Sequence, residues 1–303
     1  MIKAKKTLGQ HFLHSEKIIS DIVSAGKVRK GDVVIEIGPG EGILTSALLK
    51  TGASVVAIEK DDRLIPLLSK KFSKEISSNR FQLFHADILD PKMLKYLFNT
   101  PLNLLTRSVS KFKVVANIPY YITGQIIRMF LEADKQPESM TLLVQKEVAE
   151  RVVAKDKKES LLSLSVKVYG KPRIVSVVKK GSFTPMPKVD SAILVIENIS
   201  KKTFLAVKPL SGENRVDEKR FFEILHVGFA HKRKQLLPNL LNGLLTRSVS
   251  RNGNSISGLE LELELERDDL IKIFYVCDID LLARAEDLSL ETWIKLCNKI
   301  NAL

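Results

Sequence analysis

Val33-Val34-Ile35-Glu36-Ile37-Gly38-Pro39-Gly40-Glu41-Gly42-Ile43-Leu44 is the stretch that decides the fold. A run of mostly β-branched apolar residues, closed by glycines at alternate positions and followed by helix formers, reads as a buried parallel strand turning tightly into a helix. Glycine supplies positive φ and lets a ligand approach the backbone. A helix starting near Ile43 offers unpaired N–H groups to a carboxylate or phosphate. The spacing narrows the ligand. A dinucleotide fingerprint needs Gly-x-Gly-x-x-Gly, and counting from Gly38 puts Ile43 where the last glycine belongs. A glycine-rich turn without a ligand is the competing reading, so the elements that follow have to decide.

The 303 residues, 45% hydrophobic and 27% charged, suffice for two domains with a sizeable core and exclude a disordered tail. A formal net charge of +13 points to a polyanionic partner, nucleic acid first, with lysine as a solubility device the alternative. Cys277 and Cys297 sit in helix-like apolar patterns and read as reduced, buried thiols that build neither a disulfide framework nor a metal cluster. The residues Met1-Ile2-Lys3-Ala4-Lys5-Lys6 lack the apolar core of a signal peptide, and no apolar run approaches transmembrane length. The expectation is a cytoplasmic monomer with no metal and no membrane partner.

Along the chain, residues 1–14 form a basic, polar arm around Leu8-Gly9-Gln10-His11-Phe12-Leu13. Ser15 caps an expected helix through Gly26 with Ile18, Ile19, Ile22 and Val23 on its apolar face. After the glycine turn a helix stops near Gly52, and residues 54–58 make a strand ending on Glu59. A carboxylate there offers two acceptors to the cis-diol of a ribose. A helix is expected over 61–72 and a third strand over 81–84. Asp87 follows that strand at the edge where open α/β sheets bind ligands. It can accept from an adenine amino group while Ile88 presses on the ring, or it can cap the next helix. Strands over 112–116 and 139–144 complete an α/β, Rossmann-like, mostly parallel doubly wound sheet.

From about Tyr169 the alternation fades. Residues 167–188 hold six basic side chains and no acidic one, which makes them an RNA-facing candidate. Residues 192–197 form a strand, 199–216 a linker, and 217–230, 233–245 and a segment from Ser289 form helices, the last with Trp293, Leu296 and Ile300 on one face. Basic His231-Lys232-Arg233-Lys234 joins two of them. The organisation expected is a catalytic domain with its arm over 1–200 and a small helical RNA-binding domain over 201–303. Residues 259–266 alternate Leu and Glu without a clear assignment. Leu-Leu-Thr-Arg-Ser-Val-Ser occurs at both 104–110 and 244–250, too short and too isolated for a repeat architecture.

The pattern Glu36-x-Gly38-x-Gly40-x-Gly42 resembles motif I of S-adenosylmethionine-dependent methyltransferases. Joined to Leu8-Gly9-Gln10-His11-Phe12-Leu13, Asn117-Ile118-Pro119-Tyr120, Phe183-Thr184-Pro185-Met186-Pro187-Lys188-Val189-Asp190-Ser191 and Arg284-Ala285-Glu286-Asp287-Leu288-Ser289, it resembles the ribosomal RNA adenine N6,N6-dimethyltransferases over nearly the whole chain. The last two motifs favour the branch that dimethylates two adjacent adenines near the 3′ end of 16S rRNA in a 30S subunit precursor. The resemblance implies S-adenosyl-L-methionine as cofactor. It implies that His11 and Leu13 close over that cofactor, Gly38 meets its methionine part, Glu59 its ribose and Asp87 its adenine, while Asn117 borders both ligands. Gln10, Tyr120 and Phe183 would wall the target pocket. His11 stands where many members carry Asn, and residues 246–266 look expanded against a compact family C-terminus. A 23S rRNA-directed resistance methyltransferase and a non-catalytic RNA-binding factor on the same scaffold are the competing functions.

The chemistry of Asn117-Ile118-Pro119-Tyr120 fits that implication. Adenine N6 is a poor nucleophile because its lone pair is delocalised into the ring. The Asn117 oxygen and the carbonyls of a turn stiffened by Pro119 can take the amino hydrogens and align the lone pair with a sulfonium methyl. Tyr120 supplies a stacking face, and base–aromatic stacking, roughly 1–3 kcal/mol per base, is comparable to the cost of unstacking an adenine. The reaction needs neither a metal nor a strong base, since N6 becomes acidic once it carries the methyl and a positive charge.

Overall fold

The computed structural model describes residues 4–99, 111–205, 217–245 and 266–302. They divide into two compact units, one made of Met1–Val153 with Gly170–Ser200, the other of Ala154–Tyr169 with Lys201–Leu303. The chain crosses between the units after Val153, after Tyr169 and after Ser200.

Among the described residues the first unit contains nine strands: β1 Phe12–Leu13, β2 Val33–Ile37, β3 Ser54–Glu59, β4 Phe81–His85, β5 Lys113–Asn117, β6 Ser139–Gln145, β7 Lys171–Val178, β8 Phe183–Thr184 and β9 Ser191–Glu197. Seven form one sheet in the order β4-β3-β2-β5-β6-β9-β7. Neighbours among β2 to β6 pair in parallel, and β9 runs antiparallel between β6 and β7. The central strands are near-continuous apolar runs because both faces are covered. Helix Glu16–Ala25, capped by Ser15 as expected, turns Ile19 and Ile22 into the core. Helix Ile43–Lys50 leaves the glycine turn at the position expected. The helix expected over 61–72 is instead a 3-10 turn, Asp62–Leu64, followed by Ile65–Lys71, with Pro66 in the first turn of the second piece.

The chain adds β3 and β4 on one side of β2, then returns to place β5 and β6 on the other. The strand order reverses between β2 and β5, and at such a switch point the loops beyond the carboxyl ends diverge and leave a crevice. Pairing of Ile37 with Ile58, Glu59 with His85 and Asn117 with Leu143 levels those ends, so the glycine turn, Glu59, Asp87 and Asn117 share one edge. The arm is fixed by a separate ribbon in which Phe12 pairs with Thr184 and Leu13 with Phe183.

β7 is an edge strand that the sequence reading gave to an RNA surface. Three of its segment's six cations are held in ion pairs, Lys167 with Glu159, Arg173 with Glu197 and Lys179 with Asp190. In the second unit, helices Glu218–Gly228, Leu236–Leu245, Arg267–Val276 and Leu290–Asn301 surround a core of Phe221, Leu240, Phe274 and Trp293. Gly228 is required there, because a Cβ would collide with the Trp293 ring. The Arg284 to Ser289 motif is a staple within this unit. Asp287 pairs with Lys158, the Glu286 carbonyl accepts from the Glu159 N–H at 2.8 Å, and the Ala285 carbonyl accepts from Trp293 Nε1 at 3.3 Å. The basic His231 to Lys234 turn is exposed, and the buried amide of Asn239 holds its start by donating to the carbonyls of Gly228 and His231 at 2.8 and 3.2 Å. Residues 104–110 and 246–265, with one whole copy of the duplicated heptapeptide and most of the other, lie outside the described residues.

Candidate functional site

One cavity opens at the switch point. Gly38 enters it with φ +66°, a Cβ added there would meet nothing within 4 Å, and its N–H donates to the Ile58 carbonyl at 2.9 Å. The loop therefore presents bare backbone to open space. Gly42, φ +74°, is glycine for another reason: a Cβ would come within 2.6 Å of the Phe72 ring. Lys71 ties this end of the loop to the next helix by donating from Nζ to the carbonyls of Glu41 and Gly42 at 2.8 and 3.2 Å.

Two carboxyl groups face the cavity from buried positions. Glu59, 5% exposed, accepts from the backbone N–H groups of Asp61 at 2.8 Å and Gly40 at 3.2 Å. These two bonds fix the plane of the carboxylate and leave lone pairs for a diol. Burial raises its pKa, opposed by those bonds. Glu36, 1% exposed, accepts from the Thr45 hydroxyl at 2.7 Å, and burial pushes its pKa up to about 8. Asp87 lines the cavity and closes the turn after its strand: Oδ1 accepts from the Leu89 N–H at 3.0 Å and Oδ2 pairs with Lys60 at 2.7 Å. The helix Pro91–Asn99 is capped by Asp90 instead, whose Oδ1 accepts from the Lys92 N–H at 2.9 Å. Leu13, Ile37 and Ile88 provide apolar walls.

At the end of β5, Asn117 Nδ2 donates to the His11 carbonyl at 3.2 Å. Tyr120 begins a short 3-10 turn after Pro119 and shares a hydrogen bond with Ser191 through its hydroxyl at 2.7 Å. The His11 ring lies against the Tyr120 ring at a centroid distance of 5.6 Å and 22° between planes, and its Nδ1 donates to the Pro185 carbonyl at 2.6 Å.

The cavity thus gathers Gln10, His11, Leu13, Gly38, Glu59, Asp87, Asn117, Pro119 and Tyr120. Phe183 is not among the lining residues. It is 4% exposed and belongs to the core cluster that also contains Leu13, because the β1 and β8 ribbon turns it inward, so its expected place in a target-pocket wall is corrected. Gln10 lines the cavity as expected, and its polar ends also fasten the arm: its amide oxygen accepts from the Lys5 N–H at 2.8 Å and its amide nitrogen donates to Asp61 at 2.9 Å. The sequence reading missed Thr45, Lys60, Asp61, Lys71 and Ser191. Asp61 carried a signal, two residues beyond Glu59 in an acidic pair after a strand.

A parallel sheet with a glycine turn after its first central strand, an acid at the end of the next, and a polar-aromatic turn across the switch point defines a methyltransferase with the Rossmann-like fold. Two solved structures share that fold across nearly their whole length. They are a dimethyladenosine transferase from Plasmodium falciparum, with TM-score 0.70, 24% identity and coverage of 94% of this chain and 96% of that one, and the 23S rRNA methyltransferase ErmE, with TM-score 0.67, 23% identity and coverage of 96% and 99%. Residues 1–274 match the family described as ribosomal RNA adenine dimethylase, and the chain belongs to that family. It is 40% identical over 296 residues to a ribosomal RNA small subunit methyltransferase A of Dehalococcoides mccartyi, covering 98% of this chain and 88% of that protein. It is 36% identical to proteins of the same name from Clostridium acetobutylicum, with 97% and 93% covered, and Lactobacillus acidophilus, with 99% and 92%.

Proposed function

We propose that this adenine dimethylase converts two adjacent adenines in a loop near the 3′ end of 16S rRNA to N6,N6-dimethyladenosine, with S-adenosyl-L-methionine as methyl donor, on a 30S subunit precursor in the cytoplasm. The observation that carries the reading is the convergence of Gly38, Glu59, Asp87 and Asn117 on one cavity. The small-subunit choice is supported by the names of relatives at 33 to 41% identity, whereas the likeness to the 23S enzyme is one of fold alone.

The residues fit the cofactor. Bare backbone at Gly38 leaves room for its methionine part, Glu59 suits the ribose diol, and Asp87 beside Ile88 suits adenine. Burial disfavours ionisation of Glu36 and Glu59, and a cationic ligand in the cavity favours it. When bound, S-adenosylmethionine supplies an electrophilic methyl on a sulfonium. The chain does the rest by position. With Nδ2 committed to His11, the Asn117 amide keeps Oδ1 as its acceptor for an N6 hydrogen, and carbonyls of the Pro119 turn take the other. Tyr120 stacks the base on the ring face that His11 does not cover. Transfer leaves N6 positively charged and acidic, so water or a carbonyl accepts the proton. A monomethylated amine still has one hydrogen and one lone pair, so the same pocket acts twice.

Such a pocket reads only adenine, so selection of the RNA rests on surfaces outside it. The exposed His231 to Lys234 turn of the second unit is suited to phosphate contacts. Incubation of the purified protein and S-adenosylmethionine with unmodified 30S and 50S particles, read by mass spectrometry of each rRNA, tests the proposal.

A further inference from the structure

The arm forms one wall of the cavity and so cannot be held by the cavity alone. Its anchor is Asp61, whose side chain is 0% exposed. Oδ1 accepts from Lys5 Nζ at 3.2 Å and from Arg63 Nε at 2.9 Å, while Oδ2 accepts from Gln10 Nε2 at 2.9 Å and from Arg63 Nη2 at 2.6 Å. Gln10 Oε1 closes the ring by accepting from the Lys5 N–H at 2.8 Å. On its main-chain side, the Asp61 N–H donates to Glu59 Oε1 at 2.8 Å. Arg63 holds the Asp61 carboxyl far below the usual carboxylate range, against its burial, so the anchor stays charged.

Asp61 also caps the 3-10 turn Asp62–Leu64 by accepting from the Arg63 N–H. Capping needs one lone pair and no partner 51 or 56 residues away, as Gln10 and Lys5 are. An exposed ion pair contributes little, as between Lys5 Nζ and Asp62 Oδ1 at 3.2 Å, but a buried carboxylate with this many donors takes several hydrogen bonds with it when it is removed.

We infer that Asp61 is a positioning residue that latches the arm over the cofactor cavity and, through the same residue's backbone, sets the ribose acid Glu59. Gln10 is the arm's half of the latch. The inference rests on the cofactor reading above for what the closed arm encloses, and on geometry alone for the closure itself. One residue therefore ties arm closure to the orientation of the diol acceptor, so a loosened arm weakens cofactor binding without any change in the residues that touch the ligand.

The test uses the full chain without ligand, as wild type, Asp61→Asn, Gln10→Ala and the double variant. Hydrogen–deuterium exchange of peptides covering residues 5–13 reads the arm, and calorimetric titration with S-adenosylhomocysteine reads the cavity. The expected result is arm exchange roughly tenfold faster in each single variant, affinity about tenfold weaker in each, and a double variant no worse than the poorer single one, because the two changes break one contact. If Asp61→Asn does not fold, Gln10→Ala and Lys5→Ala remove only the arm side and carry the same readouts. Wild-type arm exchange in these variants overturns the latch, as does faster exchange with unchanged affinity. Failure of the wild-type protein to bind S-adenosylhomocysteine refutes the cofactor reading instead, and arm exchange still decides the closure.

Discussion

The Asn117 side-chain amide donates to the backbone carbonyl of His11 across 3.2 Å, joining the turn expected to hold the target adenine to the arm expected to cover the cofactor. This bond decides which end of the amide faces the reaction. Asn117→Asp removes the donor and sets a carboxylate against a carbonyl, so methyl transfer should fall by on the order of 10²-fold or more. RNA retention should persist and remain steeply salt-dependent, since the phosphate contacts are proposed for basic surfaces outside the pocket. Single-turnover rates and filter binding on the folded variant separate the two. Loss of RNA retention together with activity would contradict that division.

Glu59 is expected to contribute through a diol. Glu59→Gln keeps one acceptor for the backbone but loses the charge, and a hydrogen bond to a charged group contributes about 1.5–3 kcal/mol, so affinity for S-adenosylmethionine should drop tenfold or more. Calorimetry on a variant with an unchanged circular dichroism spectrum checks this. Wild-type affinity would remove Glu59 from the ligand.

Much of this arrangement was legible in the sequence because it is local. Strand, glycine turn and helix between Val33 and Lys50 are dictated by apolar runs and by positions that tolerate only glycine, and the register of Glu59 and Asp87 follows from strand lengths. What escaped is what pairing between distant segments decides. Phe183 reads as a pocket aromatic until the ribbon with Leu13 turns it into the core. β7 escaped because an edge strand with exposed alternate positions can be rich in Lys and Arg, which gives it the composition of a basic surface. Asp61 looked like one more acid at a loop because its partners Lys5 and Gln10 lie more than fifty residues upstream.

Tyr120 separates stacking from hydrogen bonding. Tyr120→Phe loses only the bond to Ser191 and should keep activity within severalfold, whereas Tyr120→Ala loses a base-stacking face contributing about 1–3 kcal/mol and should lose roughly tenfold to hundredfold in kcat/KM for the RNA. Equal losses in the two variants would show that the hydroxyl, not the ring, is what the substrate needs.

Glu36 gives the protein a stability slope. Burial, helped by nearby Glu59 and opposed by the Thr45 hydrogen bond, raises its pKa from 4.5 to about 8 in the folded state. Between those values the folded protein holds a proton that the unfolded chain has released, so this group's effect is to lower stability as pH rises from about 4.5 to about 8, with no further change above. At pH 7 the effect is at most about 3 kcal/mol. Glu36→Gln retains an acceptor for Thr45 and cannot ionise. Its melting temperature should match that of the parent near pH 4.5 and exceed it increasingly towards pH 8, and a gap that stays constant over that range would mean that Glu36 does not titrate there.

The central claim is that one pocket dimethylates neighbouring adenines of small-subunit RNA, and its most direct measurement is the nucleoside product. Purified protein with excess S-adenosylmethionine is incubated with 30S and 50S particles lacking the modification, and each rRNA is digested and analysed by mass spectrometry. The account expects N6,N6-dimethyladenosine at two adjacent positions near the 3′ end of 16S rRNA and none in 23S rRNA. Product confined to 23S rRNA, or accumulation that stops at the monomethyl stage, would contradict it.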